Sequence, residues 1–323
     1  MATFKELLKL SFKSEDTEEW LDVHFTRPIG LAFALLWNKF DIHPNVITIA
    51  SFFLGAGAGW MFHYTDLPHN IWGIILLMLG NFCDSTDGQM ARLTGKKTLL
   101  GRVLDGFSEN VWFFCIYVAI VVRLWNQNIP GTEMQWGFYG FILCAVAGFL
   151  CHSPNCSLAD YYRQIHLYFL LGKEGSELDT YAQQRQIYES LPKSALFSRA
   201  FYYNYANYCK SQEKRTPHFQ RFFQKVKSLW PNAEDMPAQL RQDFRSGSLP
   251  LMKYTNLLTF NARAITLYGA CLMDCPWVFP LAEITVFQLM YVYMHRTHER
   301  LCASLMDNGQ WIMDKGGKLT VIV

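Results

Sequence analysis

The stretch that decides the fold is CDSTDGQMARLTGKKTLLGRVLDGFSE, residues 83–109. It places Asp84, Asp87, Asp105 and Glu109 between two strongly apolar runs. On a helix, residues three or four apart share a face. Asp84, Asp87 and Ala91 therefore point one way at the end of one helix. Gly101, Asp105 and Glu109 repeat at i+4 and share a face at the start of the next. A short loop joins the two, so the helices pack antiparallel and four carboxylates meet across one crevice. Pairing with Arg92, Lys96 or Arg102 is the competing account. It leaves four mutually repelling acids in one place, which only cations relieve. Ionisable groups beside membrane-like sequence are functional candidates by default. An all-oxygen donor set suits hard divalent ions such as magnesium or manganese. Two such ions can clamp a phosphoryl group and activate a nucleophile. Gly88 and Gly101 strip side chains from the same faces, either for close approach of a ligand or for helix packing.

Working outward, 51% of the 323 residues are hydrophobic and 17% are charged. A soluble chain carries about a quarter charged residues. A membrane span needs about 20 mostly apolar residues. Six candidates follow: roughly 45–64, 70–91, 104–125, 135–155, 255–273 and 276–295. The predicted fold is all-α: a six-transmembrane-helix bundle, an N-terminal interfacial helix and a cytoplasmic helical insertion between spans four and five. The predicted divisions are 1–40 (amphipathic and interfacial helices), 41–165 (spans one to four), 166–254 (the insertion) and 255–323 (spans five and six and the tail). Asp274, Cys275 and Pro276 form a turn between the last two spans.

Phe4, Leu7, Leu8 and Phe12 recur at helical spacing among lysines, which predicts an amphipathic helix on a membrane surface rather than a signal peptide. The tail GKLTVIV shows no lipidation motif. Lys and Arg cluster in the motif loop (Arg92, Lys96, Lys97, Arg102) and in residues 173–250, with 12 Lys/Arg against 8 Asp/Glu. The connections after spans one and five have none, and the one after span three has only Arg123. The positive-inside rule puts both termini and the acids in the cytoplasm. The insertion is too rich in Tyr, Phe and Trp to be a disordered linker. Net charge is +2, and no nucleic-acid partner is expected. Nine scattered cysteines without a CxxC pair indicate neither a disulfide framework nor a zinc site. His295 and His298 read as a solvated helix end. Gly55-x-x-x-Gly59 marks close packing, within the bundle or between two chains.

The pattern Asp84-x-x-Asp87-Gly88-x-x-Ala91-Arg92, followed by Gly101-x-x-x-Asp105-x-x-x-Glu109, closely resembles the signature of the CDP-alcohol phosphotransferases (CDP-alcohol phosphatidyltransferases), D-x-x-D-G-x-x-A-R-x(8)-G-x-x-x-D-x-x-x-D. Eight positions agree in spacing and seven in identity. HPNVIT, residues 43–48, resembles the family's PN-x-x-T segment. The resemblance covers residues 20–160 well, and the last two spans in topology only. It implies six transmembrane helices, a cytoplasmic site, a membrane-lipid setting and dimers. It also implies attack of an alcohol on the β-phosphate of a CDP-linked donor with release of CMP. By carry-over, Asp84, Asp87, Asp105 and Glu109 ligate two Mg2+ or Mn2+ ions. Asp84, Gly88, Ala91, Arg92, Gly101, Asn45 and Thr48 face the nucleotide, and Glu109 is the general base.

Glu109 departs from the family's aspartate and reaches one methylene further. A base misplaced by about 1 Å can cost roughly a hundredfold. Because every other position is intact, the substitution reads as a remodelled acceptor pocket; an inactive scaffold is the competing account. The long insertion is a second departure. Arg163, Lys253 and Arg263 are candidate cations for an acidic acceptor, and Asn155 and Asn261 candidate partners for its hydroxyls. Snorkelling is the alternative for Arg263. These favour phosphatidyl transfer from CDP-diacylglycerol to a polar alcohol such as inositol, inositol phosphate or glycerol phosphate. Glu283 with its aromatic neighbours keeps open the alternative, phosphoethanolamine or phosphocholine transfer to diacylglycerol or ceramide. An ion transporter would place acids through the bilayer and show a second broken helix; neither is present in the sequence.

Overall fold

The computed structural model describes residues 3–12, 14–96, 99–308, 312–313 and 319–320. Lys97 and most of the tail GKLTVIV lie outside the described residues. The described residues are all-α apart from a two-residue strand pair, Ile312–Met313 with Leu319–Thr320. It divides into two compact units, Met1–Cys156 with Asn256–Met290, and Ser157–Thr255 with Tyr291–Val323.

In the first unit a short helix α1 (Phe4–Leu10) opens with a capping box from Thr3 and Glu6. A π-helical turn, Asp22–Thr26, leads into α2 (Arg27–Asn38). Helix α3 (Pro44–Phe62) starts at His43, whose ring accepts the Asn45 N–H, with Pro44 in the first turn. Helix α4 (Leu67–Thr94) starts on an Asp66 cap and ends at Gly95, whose φ of 70° suits a left-handed C-terminal stop. Helix α5 (Leu99–Leu124) contains the second half of the motif. Then come α6 (Gly137–Ala145) and a π-helical segment Val146–His152; α7 (Ser153–Leu171) starts in this unit, and from Ser157 on it belongs to the second.

Glycines set how α2 to α5 meet. A Cβ at Gly55 would overlap the Trp112 ring, and one at Gly59 would lie 2.8 Å from Cys115 Cβ. Gly55-x-x-x-Gly59 therefore packs α3 against α5 inside this unit. A Cβ at Gly30 would lie 2.7 Å from Gln89 Nε2, so α2 approaches α4 equally closely. The core between them is Phe62, Leu77, Trp112, Phe113, Ile116 and their neighbours.

The second unit holds α8 (Tyr181–Ser190), α9 (Leu196–Arg215), α10 (Pro217–Leu229) and α11 (Ala238–Leu257). In α10 the buried residues Phe219, Phe222, Phe223 and Val226 form one apolar stripe at i, i+3, i+4 and i+7. Phe222 stacks on Phe169 and Phe244. Back in the first unit, α12 (Phe260–Leu272), α13 (Val278–Ala282) and a π-helical turn Glu283–Phe287 precede α14 (Gln288–Asn308). Asp274, at φ 51°, makes the expected turn.

Among the described residues, three helices are long and apolar enough to cross a membrane: Pro44–Phe62, Leu104–Leu124 and Gly137–Leu171. The last runs well beyond the predicted boundary at 155. Helix α12 spans only 13 residues. Arg123, expected at an open connection, is buried instead. It donates to Asn70 Oδ1 (2.8 Å) and Asp274 (2.7 Å) and to the carbonyls of Phe62 and Cys271. One side chain thus ties together the ends of α3, α4, α5 and α12.

His295 and His298 are not a solvated helix end. His298 is fully buried, stacked 4.0 Å from the Tyr162 ring and packed edge-on to Phe219 and Phe244. His295 Nδ1 meets the Tyr162 hydroxyl at 2.5 Å. Burial, with His295 and His166 nearby, lowers the His298 pKa to about 3. The neighbouring Glu299 accepts the N–H groups of His218 (2.8 Å) and Phe219 (3.3 Å), which have no partner within α10.

Candidate active site

Helices α4 and α5 bring the motif acids together. The Asp84 side chain hydrogen-bonds that of Asp105, and the charges of Asp87 and Glu109 act on it. Asp105 also acts on Asp87. Ser108, one residue before Glu109, donates to the Asp105 carbonyl at 2.6 Å and lies 3.3 Å from Asp84 Oδ1. It is a site residue that the motif alone does not flag, although its i+3 spacing from Asp105 allows that backbone bond.

The start of α3 reaches the same acids. Thr48 Oγ1 donates to Asp87 Oδ2, with the Pro44 carbonyl 3.3 Å away. Asn45, half-buried, lies one turn earlier. Thr48 is therefore a partner of an acid. Ala91 and Gly101 are half-buried on their helices. Gly88 is covered by Arg92: a Cβ there would meet Arg92 Nη1 at 3.4 Å and Nη2 at 3.6 Å. Arg92 acts electrostatically on Asp87 and donates Nε–H to the Ser11 carbonyl at 2.7 Å.

The acceptor candidates separate. Arg263 does not snorkel. It is fully buried, and its Nε donates to Glu283 Oε1 at 2.6 Å. Its Nη1 reaches the Leu258 carbonyl and lies 2.9 Å from Cys156 Sγ. Glu283 is also buried and accepts from His152 Nδ1 at 3.0 Å. Expected to serve alternative acceptors, this cation and this anion neutralise each other in the structure. Asn261 donates to Glu19 (2.8 Å) and Asp22 (3.1 Å). Asn155, 1% exposed, donates to Gln288 at 3.0 Å, while its Oδ1 has no partner among the described residues. Arg163 and Lys253 belong to the second unit, and Lys253 Nζ sits over the Tyr254 ring. Glu109 is near enough for its charge to act on the Cys156 thiol.

An apolar cavity of about 150 Å³ lies beside α4, lined by Leu21, Phe25, Met78, Phe82, Phe260 and Ile265 among others. Among the described residues, no three His, Cys, Asp or Glu side chains form a ready-made metal cage. The donor chemistry nevertheless fits hard divalent ions. Carboxylates in mutual contact repel unless a proton or a cation lies between them.

Residues 41–164 match the family model described as CDP-alcohol phosphatidyltransferase. Over that segment the chain is similar to the CDP-alcohol phosphatidyltransferases. All four acids, Thr48, Ser108 and Asn155 fall inside it. A protein of Aquifex aeolicus (strain VF5), described as uncharacterized, is 41% identical over 69 residues, covering 21% of this chain. The chain spans about a third (34%) of the length of that curated relative.

Proposed function

We propose that this protein is an integral membrane transferase that moves a phosphatidyl group from CDP-diacylglycerol to a polar alcohol of the inositol, inositol phosphate or glycerol phosphate type, releasing CMP. The observation that carries this reading is the contact of Asp84 with Asp105, joined by the charges of Asp87 and Glu109, inside the family-matched segment. Two magnesium or manganese ions held by these four acids would neutralise the phosphates and polarise the reacting phosphorus. Thr48 orients Asp87, and Ser108 steadies the backbone of Asp105 beside Asp84. Asn45, Gly88, Ala91, Arg92 and Gly101 border the nucleotide end.

Glu109 takes the proton from the alcohol. The alcohol oxygen then bonds to the β-phosphorus, and the bond to CMP breaks. Asn155 Oδ1, buried and without a partner among the described residues, is suited to accept a hydroxyl. The apolar cavity beside α4 suits an acyl chain. Six spans, with both termini and the acids on the cytoplasmic side, agree with the charge pattern. A homodimer, which the family resemblance implies, would use a surface other than Gly55 and Gly59.

The test is CMP release by the purified protein in lipid with magnesium or manganese, beside a Glu109→Gln variant. CDP-diacylglycerol, CDP-ethanolamine and CDP-choline are each offered with a panel of acceptors. Release from CDP-diacylglycerol with a polyol or polyol phosphate is the expected result. Release only from the water-soluble donors with a lipid alcohol would reverse donor and acceptor. No release from any donor would sink the enzyme reading.

A further inference from the structure

Helix α4 presents two stripes. Asp84, Asp87 and Ala91 form the acid stripe; Ser85, Gln89 and Arg92, at i, i+4 and i+7, form another about 100° around the helix. The N-terminal segment binds the second stripe. Gln89 Nε2 donates to the Arg27 carbonyl at 3.0 Å, and Ser85 Oγ lies 3.5 Å from the Thr26 carbonyl. Arg92 Nε donates to the Ser11 carbonyl at 2.7 Å.

Ser11 is well placed to hold a guanidinium. It is the C-cap of α1 and fully buried. Its N–H bonds to Leu7 and Leu8 carbonyls at 3.0 and 3.1 Å, and its Oγ donates to the Leu8 carbonyl at 2.7 Å. A carbonyl at a helix end has no partner within the helix, and Arg92 supplies one. Further along, Glu18 pairs with Arg27 at 3.2 Å, and Glu19 and Asp22 both accept from Asn261. The segment is thus pinned to α2, α4 and α12. Its far end lies at the motif, where Arg92 covers Gly88 and acts on Asp87.

Resting on the function proposed above, we propose that the N-terminal segment is a positioning strap for the nucleotide end of the acid site: the Ser11 carbonyl holds the Arg92 guanidinium over Gly88 and beside Asp87. Ser11 and the capped helix before it are positioning elements, since they touch no substrate. The donor's cytidine end is the ligand they prepare for.

Two measurements on the full chain in lipid test this. The first is amide hydrogen exchange. Arg92→Gln should speed exchange in residues 4–12 about tenfold, and Arg92→Lys, which keeps one donor, should restore part of the protection. A variant that merely unfolds would lose protection throughout α3 and α4 as well. Unchanged exchange in residues 4–12 overturns the strap. The second is donor kinetics of Thr3→Ala/Glu6→Ala, which uncaps α1 at its first turn. Donor KM should rise three- to tenfold with kcat within twofold, and adding Arg92→Gln should cost less than the product of the separate effects. A lowered melting temperature with wild-type KM would show a purely structural cap and overturn the inference. If the wild type releases no CMP from any CDP-linked donor, the enzyme reading fails instead, and the exchange measurement alone decides whether Ser11 holds Arg92.

Discussion

Replacing Arg263 by methionine should unfold the first unit more easily without acting through substrate. The guanidinium and the Glu283 carboxylate are both fully buried and bonded at 2.6 Å, with a second contact at 3.4 Å from Nη2 to Oε2. Removing the cation leaves a buried carboxylate with His152 as its main remaining partner. It also strips donors from the Leu258 carbonyl and the Cys156 thiol. Breaking one partner of such a pair costs about 3–5 kcal/mol. Arg263→Met/Glu283→Gln removes the unpaired charge while its amide oxygen still accepts from His152. The residual loss should be about 1–2 kcal/mol, the scale of one or two missing neutral hydrogen bonds. Denaturant or thermal unfolding in lipid micelles, with single and double variants side by side, measures both. Equal losses in the two variants would refute the charge argument. A single variant with wild-type stability and a raised acceptor KM would make Arg263 a substrate ligand after all.

The remaining predictions are simpler. Asp84→Asn and Asp105→Asn should each lower CMP release by more than about a hundredfold. They should leave the metal-free protein at least as stable, because each relieves carboxylate repulsion; a large stability loss would mean that the acids are structural. Gly59→Leu should cost about 1–3 kcal/mol or more in unfolding, because its Cβ would meet the Cys115 Cβ at 2.8 Å and backbone at 2.9 Å. Gly57→Leu, whose nearest neighbour is Leu76 Cδ1 at 3.5 Å, should cost little. The second unit should lose stability in acid. His298 is held near a pKa of about 3 against an ordinary 6.5, so the unfolded chain takes up the proton first. Stability is then complete above pH 6.5 and falls by up to about 1.4 kcal/mol per unit as pH drops towards 3. His298→Phe should flatten that slope; an unchanged slope would exonerate the histidine.

The convergence of the four acids was legible in the sequence, because helical spacing is fixed. Asp84, Asp87, Asp105 and Glu109 needed only a period of 3.6 and a loop short enough to return the chain. Helix α4 stops at Gly95, where glycine alone adopts the left-handed turn cheaply. What sequence could not show depends on partners far along the chain. Arg263 and Glu283 are 20 residues apart on separate helices. His298 is buried by Tyr162, Phe219 and Phe244 from three other helices. Glu299 belongs to the second unit because it caps α10, 80 residues earlier. Ser11 is 81 residues from Arg92, and no local pattern announces a backbone carbonyl as a ligand.

The acids themselves resist the geometry that makes them useful. Two unit charges 4 Å apart repel by about 4 kcal/mol at an effective dielectric of about 20. Something neutral must therefore hold α3, α4 and α5 together before any cation arrives. Gly55 and Gly59 let α3 close on Trp112 and Cys115, and Gly30 lets α2 close on Ser85 and Gln89. Arg123 ties the opposite ends of the same helices by four hydrogen bonds. These contacts surround the acids without neutralising them. A scaffold built only for stability would place an arginine or lysine among four carboxylates; here Arg92 is tethered to Ser11 and lies over Gly88, beside Asp87. On the function proposed above, a divalent ion is the partner whose charge and oxygen preference match these acids.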